Sequence, residues 1–513
     1  MPAGKIPEKY RFLGPLVPTP FLWEVHDRRR GAMERLITAG RCVVLALAMS
    51  ALFTACSFAF WHENGNPVCT AKGDQLSSEA ISDGAGGVII TWYNGGVYAQ
   101  RVDTSGTMLW TVNGIAVSTA PGGRLPCIVS DGAGGAIITW TDLRTATSYD
   151  IYAQRVDASG KLLWPADGVP ICTTACSERS RDITSDGSGG AIVTWSDDRT
   201  GTGCDVFAQR VDASGKALWK ANGISVCSAE KEQGFTQIIS DGAGGAVIAW
   251  ADFRNGESFS IYAQRVDGSG KTLWQNDGVP ACTAQGSRLP RITSDGAGGA
   301  IIAWRDPRNT TNYDIYAQRI DGSGKTLWQN NGVPVCTVAG AKWWPLTVSD
   351  GTGGAIVTWR DYRSGTNYDV YAQRVSPSGR MLWKVNGLPI CTNTFNERYH
   401  EMGLDGAGGA IIAWYDERGT GNYDIYAQRV SPSGKALWKA NGVPVCTATE
   451  DQQYPNVTTD KTGNAIIIWL DFRSGTNYDV YAQRLRSDGK IGSTKSGTST
   501  KSGTSRHESG LYR

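Results

Sequence analysis

Helical signal is the first thing this sequence lacks. No stretch of its repeated part carries apolar residues at a 3.6-residue period, which points away from α and α/β classes. Histidine is scarce, with 4 residues, and no group of His and Cys has zinc-site spacing, so neither a metal nor a cofactor is expected. Charge is low at 19 % and balanced, 50 Lys+Arg against 48 Asp+Glu. A net charge of +2 with no basic block in the repeats leaves no phosphate-binding footprint, and nucleic acid is not an expected partner. The uncharged apolar run Cys42–Thr54 has 13 residues, too short to span a bilayer.

What is abundant is glycine, 64 residues, and tryptophan, 19, the profile of a turn-rich β protein with aromatic cores. Both recur with a period. The string SDGAGGAIIAW and its variants place an aspartate at 83, 131, 186, 241, 295, 350, 405 and 460, in steps of 48 to 55 residues. Sixteen of the tryptophans fill two positions of this unit, Trp92, Trp140, Trp195, Trp250, Trp304, Trp359, Trp414 and Trp469 at one, Trp61, Trp110, Trp164, Trp219, Trp274, Trp328, Trp383 and Trp438 at the other.

Within residues 289–336 four strands are expected. They lie around Arg291-Ile292-Thr293, over Ala300 to Trp304, over Asp314 to Ile320, and near Thr326-Leu327-Trp328 before the segment Asn331 to Cys336. Glycines in the Asp295–Gly299 turn supply the positive φ of a tight hairpin. Four short antiparallel strands with apolar residues on both faces must stack on neighbours, and four strands per unit of this length is the sign of a propeller blade. After Leu485 the last fourth strand has degenerated, while Phe60 to Thr70 is a fourth-strand segment without its first three. The pieces sum to eight complete blades. The expected fold is therefore all-β, an eight-bladed β-propeller over residues 58–491, closed by the N-terminal strand pairing with the last blade.

The units resemble bacterial cell-surface repeat proteins of the SDGAGGAI…W-x-D-x-R…YDIYAQRVD type across residues 61–491, a resemblance that implies a propeller exposed outside the cell. The turn Asp157 to Trp164 also looks like the Asp-box of sialidases, but its Gly-to-Trp spacing is one residue longer, and Ser376 and Ser431 replace the aspartate in two blades. With no lone Tyr/Glu pair and no cluster of unique arginines evident, sialidase activity does not carry over.

Residues 1–57 read as an extension and an export signal, since Arg28, Arg29, Arg30, Arg35 and Arg41 precede the apolar run. Leu52-Phe53-Thr54-Ala55-Cys56 resembles a bacterial lipobox that would acylate Cys56, its membrane link. Cleavage after Ser57 is the secreted alternative. The tail, 492–513, repeats Ser, Thr, Lys and Gly and is expected to be disordered.

Antiparallel connectivity sorts the loops. The first-to-second and third-to-fourth turns share one end and are tight; the second-to-third loops and inter-blade connectors share the other, where function is expected. Asp-x-Arg recurs in seven second-to-third loops, from Asp142/Arg144 to Asp471/Arg473. It is either a charged ligand ring or a lock holding each loop to itself, and sevenfold repetition favours the lock. Cys69, Cys172, Cys227, Cys282, Cys336, Cys391 and Cys446 share one repeat position and are expected to be small buried hydrophobes. Cys127, Cys176 and Cys204 fall outside it, leaving a bridge among them open. Glycines account for the Asp-Gly turns without calcium.

Residues that break the repeat are the better candidates. Trp343 and Trp344 stand out of register in one connector, and Arg398-Tyr399-His400-Glu401 fills the next. Together they would form a patch for stacking a sugar or gripping a peptide. The expected function is an exported, monomeric binding or adhesion scaffold for an extracellular glycan or protein. The alternative is an envelope hydrolase or lyase whose site uses Arg398, His400 and Glu401.

Overall fold

A computed structural model describes residues 60–492 apart from 146–147, 175–178, 310–311, 420 and 461, with the backbone alone at 179–180. The export segment, Cys56 and the tail from 493 onward lie outside the described residues. Thirty-two strands form eight four-stranded antiparallel sheets arranged as blades in a ring, with no helix among the described residues. Blades 1 to 7 begin at Leu76, Arg124, Arg179, Gln233, Arg288, Lys342 and Arg398, and blade 8 at Gln452.

Blade 8 takes its fourth strand from the other end of the chain. Asn66–Cys69 pairs antiparallel with Asp479–Leu485, so the sheet reads as one borrowed strand and three local ones. Beside it, Trp61 donates its indole N–H to the Thr104 carbonyl of blade 1 at 3.0 Å, and the Gln483 amide donates to His62. The ring thus has no open blade edge at the seam.

There is no single core. Eight apolar clusters form, each shared by two adjacent blades, and the second-strand tryptophans lie at their centres with almost no exposure. Every fully buried side chain of this kind stabilises by roughly 1.5–3 kcal/mol, so stacking, not any one sheet, holds the disc together. Gly332 shows how tightly the layer fits. It sits at φ +86°, and a Cβ there would meet the Trp304 ring at 2.5 Å.

In blade 5 the first three strands fall where the sequence places them, at Arg288–Ser294, Ala300–Asp306 and Asp314–Ile320. The fourth does not. It is Val333–Cys336, while Thr326 makes only an isolated bridge to Ile320 and Trp328 lies in the turn that follows. The reason is that the Trp328 indole is needed across the blade gap, where it donates to the Pro377 carbonyl of blade 6 at 2.9 Å.

First strands of neighbouring blades approach one another around the ring and are the innermost. Each carries a register shift near its start. In seven blades a non-glycine residue there has positive φ: Ser77, Leu125, Phe235, Leu289, Trp344, Tyr399 and Tyr454. A bulge of this kind twists the strand and re-aims the side chains before it.

Candidate functional site

Two sets of arginines serve the fold, and both come with an aspartate. In the third strand, Arg319 reaches Asp295 at 3.0 Å and donates to the Pro377 carbonyl of the next blade, while the other Asp295 oxygen accepts two backbone N–H groups of its own turn. All eight blades repeat this pairing, from Arg101–Asp83 to Arg484–Asp460. At the other end the Asp-x-Arg pairs are locks. Asp306 accepts from the Trp304 indole at 2.8 Å and from Arg308 at 2.5 Å, and Arg308 also holds the Asn331 carbonyl.

The repeat-position cysteines are buried, and six of them stand within 3.4 Å of an Asp-x-Arg guanidinium. Cys127 and Cys204 form no bridge with each other, and Cys176 lies outside the described residues. Cys127 is on the inner strand of blade 2, whereas Cys204 is buried next to the third strand of blade 3.

Neither sequence-predicted patch lies in a connector. Trp343 and Trp344 belong to the innermost strand of blade 6, and Arg398, Tyr399, His400 and Glu401 to that of blade 7. The extended backbone continues further toward the connector end than the apolar pattern indicates, because the bulge interrupts alternation. His400 is withdrawn from any ligand. It is 3 % exposed, its Nε2 lies 3.1 Å from the Thr358 hydroxyl of blade 6, and burial with nearby Arg360 pushes its pKa down to about 3.

Glu401 is half-buried, and burial raises its carboxyl to about 7 against the attraction of Arg291. Tyr399 packs against Tyr454. Arg398 stands over the Tyr423 ring at 5.1 Å, with only a loose 3.8 Å contact to exposed Glu417.

Glu401 occupies the place four residues before the turn aspartate. The same place holds Glu79, Cys127, Asp182, Gln237, Arg291, Leu346 and Asn456, all half-buried on inner strands. Burial lifts Glu79 to about 8 and Asp182 to about 6, and Glu79 feels the charges of Asp182 and Glu401, which places three blades' carboxyls around one axial space. Part of their work is structural. Asp182 accepts the Ile238 N–H from blade 4's inner strand at 3.1 Å.

Above this ring, toward the connector end, the fold assembles what sequence reading missed. Arg288 and Arg305 stand directly opposite each other on the first and second strands of blade 5. In blade 6 Trp343 stands opposite Arg360. The Arg305 guanidinium lies 3.4 Å from the Trp343 ring and 3.7 Å from the Tyr313 ring, two rings tilted 53° to each other, and Arg360 stands 4.6 Å over Tyr368. Arg305 and Arg360 therefore interrupt the repeat on adjacent blades, whereas Arg288 stands at a first-strand place that also holds Arg124, Arg179 and Arg398. The available signal was the second-strand residue between Trp and Asp, which is Thr141, Ser196 and Ala251 in earlier blades and Arg305 and Arg360 here.

Cys391, Glu397 and Asp416 bring three ligand-type atoms within 4.8 Å. Arg418 already donates to Asp416 at 2.5 Å and to the Cys391 sulfur at 3.0 Å, so a guanidinium fills the place a cation would take. A shallow surface dip at the tight-turn end, lined by Gly86, Asp460 and Arg484, lies away from the aromatic and cationic groups of blades 5 to 7.

No protein-family model matches the chain, and no curated protein matches it. Solved structures that align with it include a lectin from Burkholderia pseudomallei at 10 % identity, covering 82 % of this chain and 98 % of the lectin with a TM-score of 0.43. The β-propeller domain of the Trilobed protease from Pyrococcus furiosus aligns at 11 % identity over 69 % of this chain and 95 % of that one, TM-score 0.39. An α-L-arabinofuranosidase of Fusarium graminearum aligns at 9 % over 83 % and 98 %, TM-score 0.35. Likeness this distant concerns the fold alone, and the propeller assignment rests on the chain's own eight sheets.

Proposed function

We propose that this chain is an exported surface binding module whose ligand, an extracellular glycan or protein, docks at the connector end over the inner strands of blades 5 to 7. One observation carries the reading. Arg305, Trp343 and Arg360, which depart from the repeat, stand with Arg288 and Arg398 on three adjacent blades toward one end of the disc. A repeated scaffold with one unrepeated cluster suits recognition, since rings offer stacking area and guanidinium groups offer oriented donors. Attachment to the cell is by a lipid at Cys56 or absent in a secreted form. Replacing Trp343 and Trp344 by alanine and screening the protein against glycan and peptide arrays tests the docking face. Binding that wild type shows and the double variant loses supports it, and unchanged binding removes it.

A second reading has its own observation. Glu79, Asp182 and Glu401 hold raised pKa values around one axial space beside Tyr399 and Arg291, as a hydrolase or lyase requires of a proton donor. Turnover of a polysaccharide that disappears in Glu401→Gln would favour this reading over simple binding.

A further inference from the structure

We propose that Arg305, with Arg288 and Arg360, forms an anion site that takes the carboxylate of an acidic sugar, so that the ligand is a uronate-bearing glycan. The inference deepens the binding reading above and rests on it. Its starting point is an imbalance. Each arginine at the two repeated positions has an aspartate within 3.4 Å, with eight pairs at the tight-turn end and seven in the loops. Arg305 is more deeply buried than most of them, at 4 % exposure, and has no carboxylate within ion-pair distance among the described residues. Its Nε and Nη2 are enclosed and donate to no acceptor among the described residues, and the Arg360 Nε is in the same state.

Electrostatics sharpen the imbalance. Arg288 stands opposite Arg305, a like-charge cross-strand pair that destabilises a sheet. Burial together with Arg288 pulls the Arg305 pKa down to about 10, with only the Tyr313 and Tyr368 rings in opposition. Ring faces attract a guanidinium, yet they offer no lone pair to its N–H donors, so two buried donors remain without an acceptor. A bound anion supplies both the missing charge and the missing acceptors.

Carboxylate and sugar follow from shape. The planar fork of a guanidinium matches a carboxylate through two parallel N–H···O bonds. Trp343, half-buried beside Arg305, is an aromatic ring of the kind that packs on the C–H face of a pyranose. Arg288 is exposed at the surface above, placed to meet the ligand first. An acidic peptide offers the carboxylate without the ring, and so accounts for the arginines but not for their aromatic neighbours.

The test uses the full chain and three probes: an oligogalacturonate, the same oligosaccharide after carboxyl reduction, and an oligoglutamate of equal charge. Calorimetric titration is expected to show binding to the oligogalacturonate that falls at least tenfold on carboxyl reduction and weakens with added salt. Arg305→Met and Arg288→Ala should each lower the affinity about tenfold or more. Arg288 is exposed, so its variant keeps the test independent of folding, and the melting temperature of each protein is recorded alongside. Equal binding of the reduced oligosaccharide overturns the anion site while leaving the docking face intact. Preference for oligoglutamate overturns the sugar assignment. If no probe binds and the Trp343/Trp344 double variant also leaves array binding unchanged, it is the docking face itself that fails.

Discussion

Arg319 and Arg305 belong to one blade, yet they keep opposite company. Arg319 sits at the tight-turn end with its Asp295 partner, a carbonyl of the next blade and seven equivalents around the ring. Arg305 sits toward the connector end against two aromatic rings, buried with no counter-charge among the described residues. Both are strand residues of a rigid sheet, so packing alone does not separate them. A side chain that serves the scaffold recurs with its partner in nearly every blade, because each blade gap poses the same problem. One that serves a ligand need occur only where the ligand lies, and its partner arrives from outside.

The largest expected effect concerns the scaffold as a whole. Deleting residues 60–70 removes the closing strand, exposes the edge of Asp479–Leu485 and uncovers the cluster around Trp61 and Val68. A loss of roughly 5 kcal/mol is expected from a few buried side chains and their ladder bonds. Deleting the tail from 493 should leave the melting temperature nearly unchanged, and equal melting of the two truncations would break the closure argument.

Next in size is the direct contrast between the two arginine environments. Asp295→Asn leaves Arg319 facing a neutral group and strips charge from the turn, and is expected to destabilise by about 3 kcal/mol. Arg305→Met should do the reverse, gaining about 1 kcal/mol by replacing an unpaired buried charge with an apolar side chain of similar length. Urea denaturation of both variants decides the matter, and a destabilised Arg305→Met would mean that this arginine belongs to the scaffold.

The effect narrowest in scope, confined to one pH window, is a pH dependence inside one connector. Glu397 is fully buried where blades 1, 4 and 8 have Gln75, Gln233 and Gln452, and burial raises its pKa from 4.5 to about 8. The folded chain therefore holds a proton that the unfolded chain releases above about 4.5. The stabilisation is complete below that pH and is lost as the pH rises toward 8. Glu397→Gln should match wild type in stability near pH 5 and exceed it above pH 8, as read from urea midpoints at the two pH values. Parallel curves would show that the carboxyl keeps its charge in the fold.

Much of the candidate site was legible as departure from a pattern. Trp343, Trp344 and Arg398 to Glu401 drew notice because they interrupt the repeat, and they do lie in adjoining blades near the expected end. Their placement in connectors was wrong because the inner-strand bulge carries Ser, Leu, Phe, Trp or Tyr at positive φ, none of which announces a left-handed residue. His400 looked available as a rare residue in a variable segment, and burial between blades 6 and 7 removes it. Arg305 and Arg360 were passed over because they stand inside a strand whose flanking residues follow the consensus.

By itself the sequence determined the number of blades, the strand that closes them, and the aspartates, tryptophans and arginines that join each blade to the next. These are local or nearest-neighbour relations, and a repeat writes each of them eight times. Only the tertiary structure decided which unrepeated side chains share a space. Arg305 and Trp343 lie in different blades and meet because successive blades pack side by side around the ring, and whether a charge meets its counter-charge there depends on that packing.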